Sequence, residues 1–541
     1  MDDFDSEDDV TTIANSSVAA DRHAFVRLLG VALGLGAAIF ATYVVPPLAP
    51  LRPWVPGHGY IPFWNVVGRE LRGEGAVAEA ERTPAAALAP VIHRAPLEPP
   101  PAPRIISKSP GERPLERTVP AYVSPSESEP PRVAIEPRDA LDAYFRKLTL
   151  VDLKVPGTVA RTGHYGDSVL GLDGITSGIR RRLQSRFGDA GHGFHLLDRY
   201  HPSYRHQGID FEPGEGWLRC LVVYECDKRY RRYGYGGLVV RSSGGATATF
   251  GSPRRDFGDA VSRFELWYSR LPSGGKLEIV VDGDRRVSVD TRGAALEDAW
   301  EVVEVPRGRH TFMVRAAGGG EVRAYGAVLE NDGPGVVWDG LALIGGSTRG
   351  LRTVDPEHLA SQIRRRDLDL VVLMFGGNDM ERNYVDLKES MEPYYEEYLE
   401  VLDHLRAGKP GLPCLVMSLL DHGKRLPDGS IASRSFVKTL VAAQAEIARR
   451  AGCGFFDTFK ATGGEGTAAR WFRASPRLVA PDLGHPTGLG HELIAELLVR
   501  ALLDAYADYR HRITGQPLAE LERSAGVAPQ REGSSAPTET P

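Results

Sequence analysis

The chain has 541 residues, 42% of them hydrophobic, which is room for two to four domains of ordinary globular composition. A formal net charge of -6 leaves no basic footprint for nucleic acid. Four cysteines are too few for a disulfide scaffold, and no Cys/His spacing suggests zinc.

Residues 1–23 are acidic and polar (Asp2, Asp3, Asp5, Glu7, Asp8, Asp9) and read as a disordered tail. Residues 24–46 hold an uncharged apolar run from Leu28 to Val45, bounded by Arg27 and by Pro46-Pro47. The run is longer than the apolar core of a signal peptide and no A-x-A cleavage site follows it, so it predicts one uncleaved transmembrane helix. Arg22 and Arg27 on one side nearly balance Arg52 on the other, so charge alone does not orient it. Residues 47–136 lack sustained apolar periodicity and include Pro99-Pro100-Pro101-Ala102-Pro103. They read as a linker of coil and polyproline II.

Residues 137–195 and 338–512 read as the two parts of one α/β domain. Val159 to Tyr165 predicts a strand, and Ile175, Ile179, Leu183 and Phe187 mark a helix ending near Gly188. Later, 368–375, 413–420 and 453–459 are continuous apolar runs, as expected of strands buried on both faces of a parallel sheet. Helical patterns at 355–366, 393–407, 433–451 and 488–509 alternate with them. The alternation predicts a doubly wound, flavodoxin-like domain of three layers, α/β/α. The middle, 196–337, breaks that rhythm. Phe264 to Tyr268, KLEIVVDG, RRVSVDT, WEVVEVP, HTFMVRAAG and EVRAYGAVLE are short strands between Gly, Pro and Asp turns, which predicts an inserted antiparallel β-sandwich. Within it, Cys220 and Cys226 are close enough to pair if the domain lies outside the cytosol. Cys414 and Cys453 fall in core strands and read as buried thiols. Residues 513–541 read as a disordered tail.

Three blocks carry chemistry: Gly166-Asp167-Ser168, Gly376-Gly377-Asn378-Asp379 and Asp482-Leu483-Gly484-His485. A serine hydroxyl is a poor nucleophile until a base takes its proton, and the base needs a carboxylate to orient it. Ser168 follows a predicted strand, where its Oγ would project from the carboxyl edge of the sheet. Asp482 stands three residues before His485, a spacing that lets the carboxylate hold Nδ1–H while Nε2 faces the serine. His491 is a competing base, but it has no aspartate at that offset and belongs inside the helix. Asn378 follows a buried strand through two glycines, and its amide is a candidate oxyanion donor beside the Ser168 N–H. The remaining donor is expected after the strand near 341–344, with Gly345 the first choice and Gly346 the alternative. Asp167 and Asp379 read as turn-stabilising.

Ser168, Gly345, Asn378 and His485 resemble the four named positions of the SGNH (GDSL) hydrolase family. More narrowly, the stretches GDSVLGLDGITSGIRRRLQSRFGDAGHGF (166–194), VVWDGLALIGGS (336–347), FGGND (375–379) and GGEGTAARWF…DLGHPTGLGHELIA (463–495) resemble bacterial peptidoglycan O-acetylesterases and related envelope carbohydrate esterases. The resemblance implies a carbohydrate-binding-like sandwich inserted between the serine and glycine blocks. It also implies a serine esterase that removes O-acetyl groups from a cell-envelope glycan, with no metal or organic cofactor required. The expected partners are the acetylated glycan and the membrane, with the catalytic part on the periplasmic or extracytoplasmic side. Two rivals stand beside this reading. One is an O-acetyltransferase with the same triad, served by a membrane acyl-transfer partner. The other is a non-catalytic, membrane-tethered glycan-binding protein.

Overall fold

The computed structural model describes residues 117–123, 133–253, 257–379 and 391–527, with a few more between 34 and 45. Most of the expected anchor lies outside the described residues. Of those of it that are described, 34, 36, 37 and 39–44 are helical and 45 is a bend. Among the described residues no helix is long and apolar enough to cross a membrane.

Five strands make a parallel sheet: β1 (Val159–Gly166), β2 (Gly335–Ala342), β3 (Leu370–Met374), β4 (Cys414–Met417) and β5 (Gly454–Phe456). Their spatial order is β2-β1-β3-β4-β5. Every residue of β3 and β4 is buried, because helices cover both faces. On one face lie α1 (Asp142–Asp152), α2 (Gly174–Phe187) and α6 (Gly488–Ile513), which share an apolar cluster with Trp338, Val372 and Met417. On the other lie α3 (Pro356–Arg366), α4 (Glu392–Ala407) and α5 (Val437–Ala451). Helix α1 and the short helices Thr458–Thr462 and Thr467–Arg473 go beyond the elements read from periodicity.

The register of β1 sets up the site. Gly166 pairs with Ala342 of β2 on one side and Met374 of β3 on the other, so the chain leaves all three strands at one level. Ser168, Gly345 and Asn378 follow at once, on the carboxyl edge where open α/β sheets gather ligands.

Between α2 and β2 the chain builds two antiparallel sheets. The sandwich begins earlier than the expected boundary at 196: Gly191–Leu196 pairs with Val322–Glu330, with Phe194 opposite Val328. That partner is over a hundred residues away, so a linear reading cannot see the pairing. The sandwich is not an appended bead. Its interior and the α3/α4/α5 side of the sheet form one apolar cluster. A buried polar network crosses the same seam, where Arg366 of α3 bonds Glu330 (2.6 Å) and Asp339 (2.7 Å). Arg161 of β1 reaches Glu330 at 3.0 Å, and Tyr235 donates its hydroxyl to Asp339 at 2.9 Å.

Three expectations are corrected. Cys414 and Cys453 are not thiols but a disulfide (Cα–Cα 4.8 Å), because β4 and β5 pair Leu415 with Gly454 and so set the preceding cysteines opposite each other. The linker is structured near its end: Val119 N–H bonds Gln516 O at 2.9 Å, and Tyr122 is buried against Tyr506. The tail carries a helix, Leu518–Ser524, which buries Leu518 and Leu521. Both segments hold too few apolar residues to show a period, and long-range packing orders them. Cys220 and Cys226 are also joined.

Candidate active site

Residue 168 opens a single 3-10 turn straight after β1. Asp167 caps it, its Oδ1 accepting from Val169 N–H at 3.0 Å, while Oδ2 accepts from Gly377 N–H at 3.2 Å. One buried carboxylate thereby ties the serine turn to the asparagine turn. Burial pushes its pKa up, and the two amides and nearby His485 only partly offset this.

Ser168 Oγ stands 2.7 Å from His485 Nε2, and His485 Nδ1 stands 2.7 Å from Asp482 Oδ2. The other carboxylate oxygen of Asp482 accepts from the N–H groups of Gly484 and His485, each at 3.0 Å. Burial works against the Asp482 charge, but these amides and the His485 ring outweigh it and hold the carboxyl below its ordinary value. The loop is pinned from several sides. Ala480 N–H bonds His485 O (2.8 Å), Gly423 N–H bonds Leu483 O (2.8 Å), and Thr487 caps α6. Leu483 adopts φ +63 with its side chain buried, a left-handed conformation that costs a branched residue about 1–2 kcal/mol and holds only where packing imposes it. The side chains of His485 and Asp482 remain about half exposed to water (52% each).

Asn378 reaches the same cleft as Ser168. Its Nδ2 donates one hydrogen to Gly346 O at 2.7 Å, leaving the second for the cleft. Gly376, at φ +142, has no room for a Cβ, which would lie 2.8 Å from Leu419 Cβ. Gly345 sits at φ +78 and is not one of the cleft walls. Gly346 N–H is spent on Leu343 O at 2.7 Å, so of the two glycines only Gly345 keeps its N–H without a partner among the described residues. His491 lies apart from the cleft, buried on α6 against Gly174, its pKa lowered by burial to about 4. It is a packing residue.

The cleft has apolar walls of Val169, Met374, Phe375, Leu419 and Leu420. Two further residues line it that the motifs do not contain, His422 and Arg434. The signal for His422 was present: it follows a buried strand at the same carboxyl edge. Arg434 had no such signal.

Residues 308–493 match the model of the GDSL-like lipase/acylhydrolase family, a stretch that includes the glycine, asparagine and histidine blocks and begins after Ser168. No curated protein sequence matches significantly. Among solved structures, a peptidoglycan O-acetylesterase is 18% identical, covering 68% of this chain and 96% of its own, with a TM-score of 0.56. An acetylxylan esterase from Geobacillus stearothermophilus is 24% identical over 32% of this chain and 73% of its own (TM-score 0.23). A family two carbohydrate esterase from Cellvibrio japonicus is 10% identical over 58% and 98% (TM-score 0.22).

Proposed function

From the premise that this chain carries a GDSL-like lipase/acylhydrolase domain and is an ester-hydrolysing enzyme, we propose that it removes O-acetyl groups from a cell-envelope glycan through an acetyl-serine intermediate. The observation that carries the reading is the line from Ser168 Oγ through His485 to Asp482, two contacts of 2.7 Å opening on a cleft with apolar walls.

Ser168 Oγ attacks the acetyl carbonyl as His485 Nε2 takes its proton, and Asp482 stabilises the imidazolium that forms. The Ser168 N–H and the free amide hydrogen of Asn378 bind the developing oxyanion. His485 returns the proton to the leaving sugar oxygen. It then takes one from water, which attacks the acetyl-serine, and gives it to the departing Ser168 Oγ as acetate is released and the free serine re-forms. The half-exposed histidine and aspartate favour water as acceptor over a second sugar, since transfer requires water to be kept out.

The N-terminal apolar run anchors the enzyme to a membrane, with the catalytic unit on the extracytoplasmic side. The Pro-rich linker supports this, and so do the two disulfides, which persist in an oxidising compartment.

The test is acetate release from O-acetylated peptidoglycan and from acetylated xylan by the full chain and by Ser168→Ala. Release that vanishes in the variant is the expected result. No release by the folded wild type would refute the esterase, and acetate moved onto an added glycan would make it a transferase.

A further inference from the structure

Two basic side chains at the cleft take no part in that reaction, and a small hairpin brings them together. Gly423–Arg425 and Ile431–Ser433 pair antiparallel, and Arg434 N–H closes the hairpin at its base by donating to His422 O at 2.7 Å. Buried Asp421 anchors it, accepting from Ser433 Oγ and Ala468 N–H, both at 2.9 Å. Gly423 N–H ties it to the Asp482–His485 loop. The two residues flanking the hairpin are thus presented to the cleft from a fixed support.

His422 Nδ1 lies 2.9 Å from Leu420 O; a carbonyl only accepts, so Nδ1 carries the proton. Burial, His485 and Arg434 keep the ring neutral, the Leu420 bond and Asp421 opposing them, which leaves Nε2 a bare acceptor. Nε2 looks between the histidine loop and the asparagine turn: it would lie 3.4 Å from a Cβ on Gly484 and 3.6 Å from one on Gly377. Arg434 is exposed, and among the described residues its guanidinium makes no ion pair or hydrogen bond. Its planar fork matches a carboxylate. On a chain of net charge -6, a free cation at the cleft is what would draw in an anionic polymer.

We propose that the hairpin base is a subsite for a carboxylate-bearing sugar, Arg434 pairing with the carboxylate while His422 Nε2 accepts a hydroxyl hydrogen of the same residue. This rests on the esterase reading and narrows its substrate to an acetylated anionic glycan. The carboxylate belongs either to the lactyl ether of muramic acid or to a uronic acid.

The experiment uses the full chain in detergent, with Arg434→Gln and Arg434→Lys. It measures kcat/KM for acetate release from O-acetylated muramyl fragments, O-acetylated uronic-acid oligosaccharides and acetylated xylo-oligosaccharides. The ratio of anionic to neutral substrate is expected to fall about tenfold in Arg434→Gln at low salt, to recover partly in Arg434→Lys, and to fall less at high salt. The anionic arm that responds identifies the source of the carboxylate. A ratio that does not change overturns the subsite. Calorimetric binding of the deacetylated fragments to Ser168→Ala, with and without Arg434→Gln, reads the same contact without turnover. Arg434-dependent binding in a protein that cleaves no ester would refute the esterase and keep the subsite. Ester cleavage with neither ratio nor binding responding would do the reverse.

Discussion

Replacing Asp482 by Asn changes one atom and should disable the base. With the amide oxygen kept on the Gly484 and His485 N–H groups, the new NH2 faces His485 Nδ1. Nδ1 must then accept, the ring proton moves to Nε2, and Nε2 can no longer take the serine proton. Turning the amide over sets its NH2 against two backbone donors instead. The size of the loss follows from exposure. The imidazolium and carboxylate charge centres are about 4 Å apart at an effective dielectric of about 40–80, worth about 1–2 kcal/mol. The charge-assisted hydrogen bond adds about 1.5–3 kcal/mol. Together they amount to about 2.5–5 kcal/mol, or roughly 70- to 5,000-fold in kcat. A buried triad aspartate loses about 10⁴; this one is half exposed, and water screens it. The assay is kcat on p-nitrophenyl acetate beside a melting curve. A drop of less than tenfold, with Tm within about 2 °C of wild type, would refute the orienting role.

Two further predictions concern neighbouring parts. Asn378→Ala should lower kcat by about 10²–10³, with KM changed little, because the amide acts on the oxyanion and not on the bound ester; a change confined to KM would contradict this. Glu330→Gln should destabilise the fold by about 3–5 kcal/mol by leaving Arg161 and Arg366 under-compensated at the sandwich seam. Burial alone would raise the Glu330 pKa, but those two arginines lower it from 4.5 to about 2. Its stabilisation is therefore complete above about pH 4.5 and is lost as pH falls towards 2. Denaturation midpoints taken between pH 5 and 2.5 should fall more steeply for wild type than for Glu330→Gln.

Much of the α/β unit was legible because its signals are local. An apolar run such as 368–375 has the composition of a strand covered on both faces, and β3 is that strand. Helix α2 ends at Phe187, where the four-residue spacing stops and Gly188 follows. The candidate site was legible for a related reason: Ser168 and Asn378 each stand just beyond a predicted strand and His485 just before a predicted helix, in short blocks whose residue types match one chemistry. The Gly191–Leu196 strand was not legible, since its text runs on from the helix before it and its partner is Val322–Glu330.

The sequence by itself determined the main strands and helices of the α/β unit, that a β-rich unit interrupts them, and which side chains can serve as nucleophile, base and orienting acid. Those properties depend on residue type and on near neighbours. Only the tertiary structure decided that Cys453 meets Cys414 and that Gly346 spends its N–H while Gly345 does not. It also decided that a hairpin sets His422 and Arg434 beside Ser168. The disulfide depends on the register between strands distant in the chain, which packing selects and no local pattern encodes.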